Sequence, residues 1–315
     1  MKQNIIVVAG PTATGKTKLA VSLAKCFGGE VVSADSMQIY KGMDIGSAKP
    51  TPEETEGVKH WLIDEVEPDK PFSVAEYVTR AKAYISDIAA RGRLPIIAGG
   101  TGLYISSLID NVQFTEGKTD FALRKELFAL AQEQGDETLH AMLAAIDPEA
   151  ARMIHPNNRK RVVRAIEIFK TTGVTMTEQN AHSKAEPSPY EPVMLALAAE
   201  REILYGRINR RVDQMAEAGL IDEVRRLRSA GLTADMQSMQ GIGYKEVFAY
   251  LDGSCGEKEC LELVKKNSRN YAKRQLTWFR RDKRYEWFDC TNSALEEKAA
   301  RYVKERLGMK DKISQ

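Results

Sequence analysis

The sequence predicts an α/β protein: a parallel sheet flanked by helices, with an all-helical domain inserted into it. Three observations carry that expectation. Short, continuously apolar runs at Asn4 to Ala9, Glu30 to Ala34, Leu94 to Ala98 and Val193 to Leu197 lack the alternation of a half-exposed strand, so they suit strands covered on both faces. Amphipathic helical stretches separate the first three, the alternation that builds doubly wound sheets. From residue 115 to residue 192 the texture turns charged and helix-forming before the fourth run resumes the sheet. The expected division is residues 1–114 and 193–315 for the sheet domain and 115–192 for the helical insertion.

The elements follow in order. The first run enters Gly10-Pro11-Thr12-Ala13-Thr14-Gly15-Lys16-Thr17. From Lys16, Leu19, Ala20, Leu23, Ala24 and Phe27 recur at helical spacing until Gly28-Gly29 stops them. The second run ends at Asp35. Ser73 to Ala90 carries Val74, Tyr77, Val78, Ala81, Ile85 and Ile88 on one stripe, and the strand after it ends in Gly99-Gly100-Thr101-Gly102. In the insertion, Asp120 can cap a helix through Gln134, and Asp147-Pro148-Glu149 opens another with proline at its first position. Asn157-Asn158 precedes a third, Arg159 to Lys170, stopped by Gly173. Glu186-Pro187-Ser188-Pro189 is a loop leading to the last strand, and after Glu200 the chain reads as helix to about Arg284.

The composition is that of a globular protein: 315 residues, 43% hydrophobic and 29% charged, which excludes collagen, coiled coil and wholesale disorder. Lys+Arg 46 against Asp+Glu 44 leaves a net charge of +2, so a nucleic-acid partner has to be read from where charge sits. No stretch approaches about 18 consecutive apolar residues, so no membrane span is expected. The N-terminal run is too short for a secretory signal, which points to cytoplasm. The four cysteines, Cys26, Cys255, Cys260 and Cys290, are expected as reduced thiols. Cys255 and Cys260 lie far from His60, His140, His155 and His182, and zinc is not expected.

Gly10 to Thr17 matches G-x-x-x-x-G-K-[ST], and it follows a strand and opens a helix. This makes the sheet domain P-loop NTPase-like. Glycines let backbone amides face phosphate oxygens, the helix start favours negative charge, and Lys16 adds a point charge. Thr17 is placed to ligate Mg²⁺. Such loops bind nucleotides, ATP above all. A nucleotide hydrolase, however, normally adds a long apolar strand ending in an acid that holds the metal. Trp61-Leu62-Ile63-Asp64 is too weakly apolar for that, and the third strand ends in glycine.

Asp35 lies at the carboxyl end of the second strand, the end where open α/β sheets bind ligands. A carboxylate there can accept a proton or hydrogen-bond an amine, or simply cap the next turn. Thr101, in the glycine-rich turn after the third strand, offers a hydroxyl. Charge is concentrated in two places. Lys265 to Arg284 holds nine basic residues against Asp282 alone, interleaved with Tyr271, Trp278 and Phe279, and Tyr285 and Trp287 follow. Arg159-Lys160-Arg161, with Arg164, opens an inserted helix. Together they suit a polyanion such as RNA.

These residues resemble one family, the tRNA dimethylallyltransferases of bacterial type, over nearly the whole chain. The resemblance rests on Gly10 to Thr17, Ser33 to Tyr40, Gly46-Ser47-Ala48-Lys49-Pro50, Gly99 to Tyr104, His155 to Arg161, Gly241 to Glu246 and Tyr271 to Arg281. It implies transfer of a dimethylallyl group from dimethylallyl diphosphate to N6 of adenine 37 in tRNA. The P-loop, with Lys16, would hold the diphosphate, and Mg²⁺ would be the cofactor. Asp35 would be the base for the adenine amine, and Thr101 would line the channel where the substrates meet. The resemblance also assigns tRNA contacts to Asp35, Ser36, Met37, Gln38 and Thr101, to Leu123 and Arg124, and to Arg159, Lys160, Arg161, Val162 and Val163. A monomer without membrane attachment is expected. A P-loop small-molecule kinase leaves the basic clusters unexplained. A prenyltransferase for free adenine nucleotides has no need of them, and a non-catalytic RNA-binding protein has no need of the P-loop.

Overall fold

A computed structural model describes residues 2–114, 120–183 and 186–309. The chain forms two compact units, Met1–Ile109 with Pro189–Gln315, and Asp110–Ser188. The sheet unit begins with β1 (Gln3–Ala9), α1 (Lys16–Phe27), β2 (Gly29–Ser33), α2 (Pro52–Thr55), β3 (His60–Trp61), α3 (Val74–Ala90), β4 (Leu94–Gly99) and α4 (Gly102–Ile109). The second unit is helical: α5 (Phe121–Gln134), α6 (Asp136–Ile146), α7 (Pro148–Met153), α8 (Arg159–Thr172) and α9 (Met176–His182). The chain returns through β5 (Tyr190–Ala198), α10 (Arg201–Glu217), α11 (Leu220–Ser229), α12 (Tyr244–Leu251), α13 (Glu257–Arg280), β6 (Glu286–Asp289) and α14 (Leu295–Arg306).

The strands form one six-stranded sheet in the order β3-β2-β4-β1-β5-β6, and every pairing is parallel. Both faces are covered, which is why the strands read as unbroken apolar runs. Along β1, Ile5, Val7 and Ala9 join one core cluster while Ile6 and Val8 join the other. The parallel register places the ends of β1, β2 and β4 along one edge of the sheet. The loop at Gly10, Asp35 and the turn at Gly99 to Gly102 therefore leave the same edge.

The fourth strand begins at Tyr190, ahead of the expected Val193, because Tyr190 to Pro192 already pair with Gln3 to Ile5 of β1. Pro192 has no N–H to give a ladder, so the sequence there reads as loop. Two short strands, β3 and β6, were not expected. β6 is a four-residue edge strand with charged ends, too short to show a period. Helix starts behave as their capping chemistry dictates. Ser73 and Glu76 form a capping box on α3, and the Asp120 carboxylate accepts from the Leu123 amide. Pro148 opens α7, and Gly173 closes α8 with φ 74°. α6 has no side-chain cap at its start, whereas α9 opens on a Thr175–Glu178 capping box that the sequence reading passed over.

The helical unit has its own core of Leu127, Leu139, Leu143, Val162, Val163 and Ile166. Glu167 is fully buried in it and accepts from the Asp120 amide at 3.0 Å, Arg124 Nε at 2.9 Å and Arg164 Nη1 at 2.7 Å. A buried carboxylate is tolerated there because its lone pairs are taken by charged and amide donors. Among the described residues, no helix is long and apolar enough to cross a membrane. All four cysteines are free thiols.

Candidate active site

The carboxyl edge of the sheet opens into a cavity of about 1000 Å³ within the sheet unit. Its wall includes Thr12, Gly15, Lys16 and Thr17 from the P-loop, Asp35 to Gln38 from the turn after β2, and Arg211 from α10. Tyr271 and Gln275 from α13 complete that side. The P-loop needs glycine at its first position for two reasons. Gly10 has φ 146°, and a Cβ there would lie 2.8 Å from the Leu197 carbonyl oxygen of β5.

Lys16 and Arg211 are both half-buried. Burial first, and then the Arg211 charge, push the Lys16 ammonium down to about 8, while Asp35 acts the other way. Burial likewise lowers Arg211 from the ordinary arginine value. Lys16 Nζ donates to the Pro11 carbonyl at 2.8 Å, and Arg211 reaches Thr12 Oγ1 and the Ala48 carbonyl at 3.4 Å each. Two cations thus share a poorly hydrated site with Asp35 as a neighbouring carboxylate. The arrangement suits an anion bearing more than one charge. Arg211 escaped sequence reading because it belongs to no pattern; it is one arginine among several on α10.

Asp35 Oδ1 accepts from the Met37 amide at 2.9 Å and the Gln38 amide at 3.4 Å, so the carboxylate does cap its turn. Among the described residues Oδ2 has no hydrogen bond, and Asp35 lines the cavity. The capping therefore fixes the carboxylate without consuming it. Thr101 is half-buried next to Ala98 and Gly99 of the cavity wall; its Oγ1 accepts from the Ser36 amide at 3.0 Å and is bonded to Tyr271, and both partners line the cavity. At Gly99 a Cβ would lie 2.2 Å from the Ala34 carbonyl, so the turn sits hard against the end of β2. Tyr271 is held neutral by burial and by the Asp35 charge, its hydroxyl pushed up to about 12.

Gln275 is a second residue the sequence did not single out. Only 5% exposed, it accepts from the Thr12 amide at 3.0 Å through Oε1 and donates to the Gly100 carbonyl at 2.9 Å through Nε2. One side chain on α13 thus ties the P-loop to the turn after β4.

The basic stretch from Lys265 to Arg284 divides. Lys265 is engaged by Asp213 at 2.8 Å and Glu262 at 3.0 Å, Arg269 by Asn209 at 2.6 Å, and Arg284 by Asp282 at 2.6 Å. Lys266, Lys273, Arg274, Arg280, Arg281 and Lys283 are exposed. Of the aromatics, Phe279 and Tyr285 are core residues packed edge to face, whereas Trp278 is 37% exposed. The helical stripe of α13 accounts for Phe279, and Tyr285, beyond the end of that helix, is buried by packing on it.

In the helical unit the assigned residues also divide. Lys160 and Arg161 are exposed, and Arg159 bonds Asp136 at 2.5 Å. Val162 and Val163 are buried in that unit's core, so they hold the helix and offer no side chain to a ligand. Arg124 is committed to Glu167, and Leu123 packs against the same core. α8 has no acid in its first turn and three cations instead, against the helix dipole.

Three comparisons bear on this geometry. The family model described as IPP transferase matches residues 38–282. The chain is 51% identical over 298 residues to a tRNA dimethylallyltransferase of Halalkalibacterium halodurans, covering 95% of each chain. It is 51% identical over 317 residues to one of Geobacillus thermodenitrificans, covering 99% of this chain and 100% of the relative. Among solved structures, the full-length tRNA isopentenylpyrophosphate transferase of Bacillus halodurans aligns with TM-score 0.72 and 46% identity over 98% of this chain and 99% of its own. A eukaryotic dimethylallyltransferase acting on tRNA aligns with TM-score 0.82 and 27% identity over 99% and 81%.

Proposed function

The chain belongs to the IPP transferase family, and from that premise we propose that it moves a dimethylallyl group from dimethylallyl diphosphate to N6 of adenine 37 in tRNA, releasing diphosphate. The observation that carries this reading is the cavity in which two half-buried cations, a P-loop and a capped carboxylate come together.

The chemistry follows from those groups. As the carbon–oxygen bond of the donor breaks, its electron pair goes to the diphosphate and charge builds on the leaving group. P-loop amides, Lys16 and Arg211 are fixed donors aimed at that charge, and preorganisation of this kind is commonly the largest catalytic contribution. The allylic cation is captured by the adenine N6, and Asp35 Oδ2 takes the proton as the new carbon–nitrogen bond forms. Met37, Ile208, Val212, Met215 and Val264 give the same cavity an apolar wall for the prenyl group. Water must be kept from the cation, and an apolar wall serves that end.

Mg²⁺ fits the donor set as an ion held largely by substrate. Among the described residues there is no group of three His, Cys, Asp or Glu that would form an all-protein cage. Thr17 offers a hard oxygen at the start of α1 and would hold the ion together with the substrate's own oxygens and water, the usual habit of Mg²⁺ with phosphates. When bound, the ion would neutralise charge on the departing diphosphate.

For the RNA, Lys160 and Arg161 on the helical unit and Lys273, Arg274 and Arg281 on α13 are the exposed cations in this reading. Asp35 to Gln38 would meet the base itself. The adenine has to leave its stack to reach a cavity, at a cost of a few kcal/mol. We read the protein as acting as a monomer. The test is incubation with labelled dimethylallyl diphosphate and either unmodified tRNA or AMP. Label in tRNA is expected; label in AMP alone, or ATP consumption without prenyl transfer, overturns the reading.

A further inference from the structure

Glu223 is only 1% exposed, yet nothing in the chemistry above uses it. It sits on α11, and its carboxylate is saturated. Oε2 accepts from the Asp44 amide at 2.9 Å and the Ile45 amide at 2.8 Å, and Oε1 from the Gly46 amide at 3.0 Å and the Tyr244 hydroxyl at 2.8 Å. Three consecutive amides converging on one carboxylate fix the backbone of residues 44–46 as firmly as a short strand pairing would. Tyr244 closes the clamp from the other side: a Cβ on Gly46 would lie 2.6 Å from its ring.

The segment held in this way continues to Ala48, whose carbonyl is the far end of the device. It accepts from Gln38 Nε2 at 3.1 Å and from Arg211 Nη2 at 3.4 Å. Both donors line the cavity, one beside Asp35 and the other beside the P-loop. Ala48 itself has φ 49°, a left-handed conformation that an alanine does not keep unless its surroundings impose it.

We propose that Glu223 is a positioning residue for prenyl transfer, acting through residues 44–48 to hold Gln38 and Arg211 at the cavity wall. The proposal rests on the transfer reaction given above. Its chemistry is ordinary: catalytic groups displaced by about 1 Å can cost about 10²-fold in rate. A merely structural Glu223 would instead affect stability alone.

The two roles separate when Glu223→Gln is set beside Glu30→Gln. Glu30, on β2, is comparably buried at 2% exposed and is held by Arg91 and Trp61 Nε1 at 2.8 Å, away from the cavity lining. Both variants should lower Tm. Only Glu223→Gln should lower kcat for transfer to tRNA, by about 10- to 100-fold at a temperature where it is fully folded. It should also raise the Kd for inorganic pyrophosphate several-fold through the loosened Arg211. Should Glu223→Gln not fold, Gly46→Ala decides, because it drives the segment off Tyr244 with the carboxylate intact and should give the same kinetic loss. Kinetics and pyrophosphate affinity within twofold of wild type in the folded variant overturn the proposal, as does an equal kinetic loss in Glu30→Gln. Wild-type protein that labels no tRNA would instead defeat the reaction reading. The pyrophosphate titration would still judge the clamp.

Discussion

Lys16 should make this protein less stable at neutral pH than it would be without that charge. The ammonium titrates at about 8 instead of its ordinary 10.5, because burial and Arg211 disfavour its charged form. A difference of about 2.5 pH units, at about 1.4 kcal/mol each, corresponds to about 3 kcal/mol against the folded state when both folded and unfolded chains carry the proton. Lys16→Met removes that cost and loses the hydrogen bond to the Pro11 carbonyl, worth about 1 kcal/mol. The variant should therefore be more stable by about 2 kcal/mol at pH 7. The sign with pH is fixed by the depressed pKa. Between about 8 and 10.5 the unfolded chain binds the proton and the folded one has lost it, so wild type gains stability with rising pH and the gap closes. Urea unfolding of both proteins at several pH values from 7 to about 10.5 measures that gap, with a pyrophosphate titration at pH 7 alongside. A gap that stays flat with pH refutes the assignment of Lys16 as a desolvated cation. Equal pyrophosphate affinity in the two proteins removes the P-loop as the anion site.

Other outcomes follow from the same geometry. Asp35→Ala should reduce turnover by about 10²–10⁴ with little change in tRNA affinity, and turnover within twofold of wild type would remove Asp35 from the mechanism. Pyrophosphate affinity of wild type should fall above pH 8, by up to about tenfold per pH unit, since the anion must then recruit a proton to Lys16; isothermal titration across that range checks it. Lys160→Ala with Arg161→Ala should flatten the salt dependence of tRNA binding by up to about two units, whereas superimposable slopes would make these residues a solvated helix face. Val162→Ala should cost about 2 kcal/mol of stability in the helical unit and leave the salt slope untouched, as melting curves and filter binding can show.

The sheet was legible because its signals are local. An apolar run followed by Gly10 to Thr17 needs no tertiary knowledge to be read as strand, phosphate loop and helix, and Asp120, Pro148 and Gly173 mark helix ends through their own chemistry. The residues that escaped are those whose roles are set at long range. Gln275 bonds Thr12 and Gly100 across 263 and 175 positions of chain, and Glu223 reaches back 179 to Asp44. Nothing in their neighbours announces a partner so distant. The opposite error arose with Phe279, Tyr285, Val162 and Val163. They lie beside exposed cations in sequence, but a helix turns by 100° per residue, which separates Phe279, Val162 and Val163 from those cations, and Tyr285 packs on Phe279 past the helix end. Period, more than proximity, divides the cations that meet solvent from the apolar residues that hold the helix.

The phosphate site is also where the molecule departs furthest from what stability alone would select. Lys16 and Arg211 are both held below their ordinary values, chiefly by burial; Glu54 and then Asp35 oppose this at Arg211, and Asp35 opposes it at Lys16. Two buried carboxylates elsewhere are matched by cations: Glu167 by Arg124 and Arg164, Glu30 by Arg91. Two partly desolvated cations without a contact ion pair among the described residues are costly in a folded protein that binds nothing. They become an asset when a multiply charged diphosphate enters, because the ligand then supplies the missing charge and the desolvation has already been met in folding.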